Sequence, residues 1–259
     1  MRKSLKIFIL TYKAPADLSK NLHSLFNSNA SFKDIEVNII NNNSEIFEIP
    51  VEYSNRVIVH HQTLRANWGC GTPARDWNQA IVLGFKNLND PDCDQIILCQ
   101  DDAIWSENWY ESLTAIHQTY DLYQCSWGDC FISILPDAIK KIGLFDERMC
   151  TLGYYEGDFL LRSWLYHKEK ISINDHHHKR VWNETVPIVK RASDEKSTPR
   201  FMNHSGNIFA LKWPGIDSQR WHKSLFNNPP EHSSIENYIY YPYFECDIEN
   251  LKEKRYIIV

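Results

Sequence analysis

The sequence feature that most constrains the fold of this chain is an unbroken apolar run followed closely by two adjacent carboxylates. Residues 96 to 99 are apolar, and Gln100 separates them from Asp101 and Asp102. A short apolar run between polar residues is typical of a strand buried on both faces of a sheet. In an open parallel sheet, ligands bind beyond the carboxyl ends of such strands. The run therefore predicts a crevice where Asp101 and Asp102 offer oxygen ligands to a hard divalent cation. An acidic helix N-cap is the plainer interpretation of the same pair.

Strand-like and helix-like patterns alternate through the first half of the sequence. Apolar runs predict strands at 6–11, 35–40, 56–60 and 96–99. Helical spacing follows Pro15 and the Thr72-Pro73 pair, which resembles an N-cap with its first-turn proline. Trp105 and Trp109 open a further predicted helix. This alternation predicts an α/β domain with a mostly parallel central sheet flanked by helices.

The second half of the sequence is less regular. Its patterns predict strands at 130–135, 171–173 and 209–213, and helices at 137–142 and 159–167. The polar stretch from 183 to 205 is expected to be a mobile loop, and the tail an extended wrap. We therefore expect a single structural domain, in which residues 1–180 form the core and residues 181–259 form a C-terminal extension that packs on it.

Composition narrows the class of protein. The chain has 259 residues, enough for one large domain, and its net charge of −5 gives no basic field for nucleic acid. Seven cysteines without a CxxC pair disfavour a zinc site and a disulfide framework. The apolar run at 7–10 is too short for a signal peptide or a membrane span. We expect a cytoplasmic protein with no integral membrane segment, at most peripheral at a membrane surface.

The order of the motifs resembles that of the GT-A glycosyltransferases, most closely family 2. The resemblance covers about residues 5–180, and six motifs in order make it a stronger signal than any one alone. The matching residues are Thr11-Tyr12-Lys13-Ala14-Pro15, Asn41-Asn42-Asn43-Ser44, Asn67 and Gly69 with Ala74-Arg75-Asp76, Gln100-Asp101-Asp102-Ala103, Gly143-Leu144-Phe145-Asp146-Glu147 and Glu156-Gly157-Asp158-Phe159-Leu160-Leu161-Arg162. Asn41 departs from the aspartate that is usual there, and Gly157 departs from the usual acidic pair.

The resemblance implies a GT-A fold and a metal-dependent, inverting transfer of sugar from a nucleotide-diphosphate sugar to a hydroxyl of a glycan or glycolipid. A divalent ion, Mn²⁺ or Mg²⁺, would stabilise the departing diphosphate. The resemblance implies that Asp102 is the direct metal ligand and that Asp101 bonds the ribose or a metal-bound water. It also favours His176, within the triplet 176–178, as an additional ligand, although a solvated loop is the plainer interpretation of that triplet.

Two acidic residues are candidates for the base that deprotonates the acceptor, Glu156 first and Asp158 second. Compensation of a helix dipole is the plainer interpretation of either residue. For the nucleotide, the resemblance implies contacts from Thr11, Tyr12 and Asn41, with Arg75 reaching a phosphate. The acceptor pocket is predicted to involve Trp105, Trp109 and Trp127, which are equally suited to a core.

Two other functions stay open at this stage. A nucleotidyltransferase on a similar sheet would have a glycine-rich loop after the first strand, where this chain has 12–15 without glycine. A non-catalytic carbohydrate- or nucleotide-sugar-binding relative is allowed by the departures at Asn41 and Gly157. The chain retains both acidic pairs, Asp101-Asp102 and Glu156/Asp158, and this argues against a non-catalytic relative.

Overall fold

A computed structural model gives the fold and describes residues 3–12, 14–42, 46, 48–62, 73–125, 129–149, 153–173, 188–191 and 202–214. Within these residues the strands are β1 Lys3–Thr11, β2 Ile35–Asn41, β3 Val57–His61, β4 Cys93–Gln100, β5 Ala103–Trp105, β6 Leu122–Cys125, β7 Phe131–Ile134, β8 Ile171–Ile173 and β9 Val189–Arg191. The helices are α1 Pro15–Phe26, α2 Pro73–Phe85, α3 Trp109–His117, α4 Pro136–Ile142, α5 Tyr155–His167 and α6 Met202–Lys212, with a 3₁₀ turn at Lys168–Lys170.

A seven-stranded sheet in the order β3-β2-β1-β4-β7-β6-β8 forms the centre of the molecule. The pairings β1–β2, β1–β4, β2–β3 and β6–β8 are parallel, whereas β4–β7 and β6–β7 are antiparallel. The sheet is thus mostly parallel and flanked by helices, which confirms the predicted fold class. Because β7 runs against β4, the start of β7 lies at the same edge as the carboxyl ends of β1, β2 and β4.

The strand alternation divides the core into two layers. In β1, Ile7 and Ile9 face the layer that contains α1 and α3, whereas Phe8 and Leu10 face the layer that contains α2, α4 and α5. All four side chains are buried. Both faces of the central strands are therefore covered, which explains why their sequences are apolar without a break.

Helix α2 approaches β4 closely at Gly84. A Cβ atom built on Gly84 would lie 2.5 Å from Cγ2 of Ile96 and 3.3 Å from Cε2 of Phe8. The missing side chain thus allows the helix to contact the sheet directly. The amino-terminal turns of α2 are held beside the same sheet edge that carries Asp101.

Two local predictions were wrong. Residues 209–213 were expected to form a strand, but residues 209–212 complete α6. Phe209 and Trp213 are fully buried in the core, so this apolar spacing belongs to a helix rather than to a strand. Trp105 was expected to open a helix, but it ends β5, and α3 begins at Trp109.

Parts of the C-terminal extension are built into the fold. Strand β9 pairs antiparallel with β5, from Ala103 opposite Arg191 to Trp105 opposite Val189. Residues 189–191 and 202–205, which lie inside the stretch expected to be a mobile loop, thus form regular structure. Among the described residues, no helix is both long and apolar enough to cross a bilayer.

Candidate active site

The carboxyl ends of β1 and β4 are joined through Asp101. Its backbone N–H donates to the carbonyl of Leu10 at 3.0 Å. The hydroxyl of Thr11 donates to Oδ2 of Asp101 at 2.7 Å, and the backbone N–H of Tyr12 donates to the same oxygen at 3.3 Å. Burial raises the pKa of Asp101 to about 7; Thr11 and Tyr12 act against this effect and Asp102 adds to it. Thr11, Tyr12 and Asp101 are therefore brought together, as the sequence predicted for one edge of the sheet.

Asp102 points into the protein beside β7. The side chain is 5% exposed, and the thiol of Cys130 lies 4.0 Å from its Oδ1. Within the described residues, no group of three or more His, Cys, Asp or Glu side chains is arranged to hold a metal ion. The adjacent carboxylates of Asp101 and Asp102 still supply the oxygen donors that Mg²⁺ and Mn²⁺ prefer, and such ions take their remaining ligands from phosphate and water. His176 lies outside the described residues, as does Trp127.

The end of β2 presents two buried amides. Nδ2 of Asn41 lies 2.9 Å from Nδ1 of His61 on β3, and Asn41 is fully buried. Asn42 is 1% exposed, and neither atom of its side-chain amide has a hydrogen-bond partner among the described residues. An unpaired buried amide is costly, so these two atoms are suited to a ligand edge that offers one donor and one acceptor.

Asp129, which precedes β7, lies where several elements meet. The indole N–H of Trp77 donates to its Oδ2 at 2.7 Å. The hydroxyl of Tyr155 donates to the same oxygen, and the side-chain amide of Gln100 donates to Oδ1. Donors from α2, β4 and α5 therefore converge on one carboxylate, and this contact ties the start of α5 to the strand that carries Asp101.

Glu156 stands next to Tyr155 in the first turn of α5. The residue is partly exposed, but its Oε2 atom is buried and has no hydrogen-bond partner among the described residues. Burial raises the pKa of Glu156 to about 8, and the negative charge of Asp129 contributes to the increase. Such a carboxyl group holds a proton more strongly than an ordinary glutamate does.

Asp158 has different surroundings. Its carboxylate accepts from Nε of Arg162 at 2.9 Å and from the indole N–H of Trp213 at 2.8 Å, and Nζ of Lys212 lies 2.7 Å away. Burial alone would raise the pKa of Asp158, but Arg162 and Lys212 outweigh it and hold the pKa below its usual range. A buried carboxylate with three donors is a poor proton acceptor, so the geometry distinguishes it from Glu156.

Lys212 connects Asp158 to the motif that ends at Glu147. Its Nζ also bonds Oδ2 of Asp146 at 2.9 Å, and both side chains are fully buried. Arg148 adds a two-point contact to the same carboxylate through Nε at 2.8 Å and NH2 at 2.5 Å. Burial raises the pKa of Asp146, but Arg148 and Lys212 hold it far below the usual value.

Helix α2 fixes the turn after α4 and exposes Arg75. Asn78 donates to the carbonyl of Phe145 at 2.9 Å and accepts from its N–H at 2.8 Å. The side chain of Arg75 is 52% exposed, with Nε 3.6 Å from Oε2 of Glu147. Arg75 thus keeps most of its donor capacity at the surface.

Asp76 is a buried acid at the start of α2 that sequence reasoning left without a role. It is 1% exposed, and its two carboxyl oxygens have no partner among the described residues. Burial raises its pKa to about 7; Arg75 lowers it and Glu147 raises it further.

Trp105 and Trp109 belong to the core rather than to an open pocket. Trp105 is 5% exposed and donates to Asn21 at 2.9 Å, and Trp109 is fully buried and donates to Ser28 at 2.9 Å. Their rings meet edge to face at 4.8 Å. Their indoles are therefore not available to stack on an acceptor sugar, and that expectation was wrong.

Comparison with known proteins shows the fold. No family model matches this sequence, and a search of curated proteins found no relative. The crystal structure of S. aureus TarS matches with a TM-score of 0.53 at 12% identity, over 80% of this chain and 39% of that one. TarS 1-349 in complex with UDP matches with a TM-score of 0.51 at 12% identity, over 80% of this chain and 70% of its own.

A third match is the mannosyltransferase PcManGT from Pyrobaculum calidifontis in complex with GDP-Man and Mn²⁺. It covers 87% of this chain and 74% of its own, with a TM-score of 0.46 and 10% identity. This chain spans about two fifths of the longer TarS structure. The TarS matches, together with the sheet order, show that the chain has a GT-A-like glycosyltransferase fold.

Proposed function

We propose that this chain is a metal-dependent, inverting glycosyltransferase that moves a sugar from a nucleotide-diphosphate sugar to a hydroxyl group of a glycan or glycolipid. One observation carries the proposal: in a GT-A-like fold, Asp101 and Asp102 at the end of β4 are tied through Gln100 and Asp129 to the start of α5, where Glu156 lies. This link supports a site in which the candidate metal ligand Asp102, its neighbour Asp101 and the candidate base Glu156 act on one substrate.

Each residue has a distinct role in this proposal. Asp102 would hold Mn²⁺ or Mg²⁺, with His176 as a further ligand, and the ion would supply charge stabilisation at the diphosphate. Asp101, fixed by Thr11 and Tyr12, would orient the ribose or a metal-bound water. Glu156 would take the proton of the acceptor hydroxyl.

The bond changes follow from these positions. The acceptor oxygen forms a bond to the anomeric carbon, and its proton passes to a carboxyl oxygen of Glu156. The bond from that carbon to the phosphate oxygen breaks, and its electron pair leaves with the nucleoside diphosphate. Attack from the side opposite the leaving group inverts the anomeric configuration.

The nucleotide would lie along the ends of β1 and β2. The UDP complex of TarS shows that a protein with this fold binds a nucleoside diphosphate. In this chain, Asn41 and the amide of Asn42 would meet the base, Tyr12 would lie beside it, and Arg75 would reach a phosphate from α2. The departure at Asn41 is thereby accommodated, because an amide offers both a donor and an acceptor where an aspartate offers only acceptors.

Release of nucleotide tests this function. The protein is mixed with Mn²⁺ and UDP-, GDP-, dTDP- and CMP-sugars, with and without glycan acceptors, and free nucleotide is measured. We expect release that stops in EDTA and falls by a factor of about 10² or more in Asp102→Asn. The matched control is Asp94→Asn, an exposed position at the other end of β4, which should keep full activity.

Several outcomes would overturn parts of the proposal. Full activity in EDTA would remove the metal. A product with retained anomeric configuration, determined by NMR, would remove Glu156 as the base. Binding of nucleotide-sugar in a thermal-shift assay without any release would instead indicate the non-catalytic binding relative, since ligand binding raises the melting temperature without turnover.

A further inference from the structure

Asp129 has the properties of a group that supports another residue. Three donors from α2, β4 and α5 fix its carboxylate, through Trp77, Gln100 and Tyr155. It is 5% exposed, so it is held in a place where its charge is poorly screened by water. Donors in this number stabilise the ionised form of a carboxylate.

The neighbour on which this charge acts is Glu156, which follows Tyr155 in α5, the residue whose hydroxyl donates to Asp129. Its Oε2 atom is buried and unpaired among the described residues, although the residue as a whole is partly exposed. One carboxyl group in this corner is therefore fully hydrogen-bonded, and the other has an oxygen available for a proton. Two carboxyl groups with such different surroundings divide their tasks, because like charges close together disfavour double ionisation.

We propose that Asp129 is a positioning residue that makes Glu156 a stronger proton acceptor. The three donors favour the negative form of Asp129, and this fixed negative charge favours transfer of the acceptor proton to Glu156. This inference rests on the proposed function, because it assigns a support to the base of that reaction. It adds a residue that belongs to none of the motifs used to recognise the fold.

The other titratable groups near this pair do not take over the role. The hydroxyl of Tyr155 remains a donor, because burial and then Asp129 raise its pKa well above the usual value. Asp158, on the same helix, is neutralised by Arg162 and Lys212. From α2, the group that faces Asp129 is the indole of Trp77, which carries no charge.

The pH dependence of stability tests the proposal without any substrate. Glu156 has a native-state pKa of about 8 against an ordinary value of 4.5. Its contribution to stability is therefore complete below pH 4.5, falls as pH rises, and reaches its lower limit above about pH 8. The melting temperatures of the wild type and of Glu156→Gln are recorded from pH 4 to pH 9.5. The difference between the two should decline as pH rises and then level off above about pH 8.

The same comparison is then made in the Asp129→Asn background. We expect the end of the decline to move to lower pH by roughly one unit or more, because the like charge is gone. The control is the Asp94→Asn background, in which the end of the decline should stay in place. In turnover assays, the acidic limb of the kcat profile should move in the same direction, whereas a merely structural Asp129 would lower stability without moving it.

Each outcome decides between the two proposals. An unchanged end of the decline in Asp129→Asn would overturn the positioning role. If Asp129→Asn does not fold, the wild-type comparison still tests the premise, since a decline that ends near pH 5 would show that Glu156 is an ordinary carboxyl group and would overturn the proposal. If the decline moves in Asp129→Asn but the protein has no transferase activity, the interaction between Asp129 and Glu156 is supported and the proposed function is rejected.

Discussion

At the scale of single residues, Asp158 and Glu156 show how two acids in one helical turn acquire opposite properties. We expect Asp158→Asn to destabilise the protein by ~3–5 kcal/mol, because Arg162 and Lys212 would then be buried with too little negative charge. The measurement is the free energy of unfolding in urea at pH 7. The matched control is Asp137→Asn, whose exposed pair with Lys140 should contribute little.

The pH dependence of this loss has a defined sign. Arg162 and Lys212 hold the native-state pKa of Asp158 below its ordinary value of 3.8, so the stabilisation is complete above pH 3.8 and is lost as pH falls further. The difference between wild type and Asp158→Asn should therefore shrink in acid. A loss at pH 7 no greater than that of Asp137→Asn would contradict the ion-pair interpretation.

At the scale of elements, the position of α2 depends on Gly84. We expect Gly84→Ala to destabilise the protein by ~1–3 kcal/mol, because the new methyl group would collide with Ile96, although alanine is the better helix former. Urea unfolding of Gly84→Ala, Ile96→Ala and the double variant tests the collision. In the Ile96→Ala background the added methyl group should cost nothing or stabilise, and strictly additive effects would refute the contact.

The arrangement of the strands explains which candidate site residues could be predicted from the sequence and which could not. Asp101, Asp102 and Glu156 could be proposed as candidates because each follows a recognisable apolar run or opens a helix. Asp129, for which we propose a positioning role, was not singled out because it precedes a strand, and only the antiparallel alignment of β7 with β4 brings it to the same edge. Its signal in the sequence was slight: a carboxylate directly after Trp127-Gly128, at a turn between two apolar runs.

Other residues could not be assigned from the sequence for a different physical reason. Nothing in the pattern around Lys212 indicates a fully buried ammonium group, since its partners Asp146 and Asp158 lie far away in the chain. Without that contact, Asp158 and Glu156 look alike as acids at a helix start. Trp105 and Trp109 suited both a sugar pocket and a core, and only their burial separates the two.

At the scale of the whole molecule, the C-terminal extension is part of what stabilises the core. A chain ending at residue 180 would lack Lys212 and Trp213, which both contact Asp158, and would lack β9 beside β5. We expect this fragment to lose cooperative unfolding or to unfold at much lower urea, as followed by circular dichroism. The full-length variant Lys212→Met, with an expected loss of ~3–5 kcal/mol, shows how much comes from the buried charge alone.

A fragment that unfolds cooperatively at the same urea concentration as the full chain would contradict this view. Residues 1–180 would then be a self-sufficient core, and the extension would be an accessory. An intermediate result, with the fragment matching Lys212→Met, would assign the contribution of the extension to a single side chain.

The antiparallel pairing of β4 and β7 has a consequence for how homologous sequences should vary. Asp102 follows β4 and Asp129 precedes β7, so the connection between them contains β5, α3 and β6, and its length can change by insertion or deletion. Such a change would shift Asp129 and spare the aspartate pair. Homologous chains should therefore sort by the length of that connection, and those that conserve it together with Gln100 and Tyr155 should share Asp129, the carboxylate that we propose supports the base.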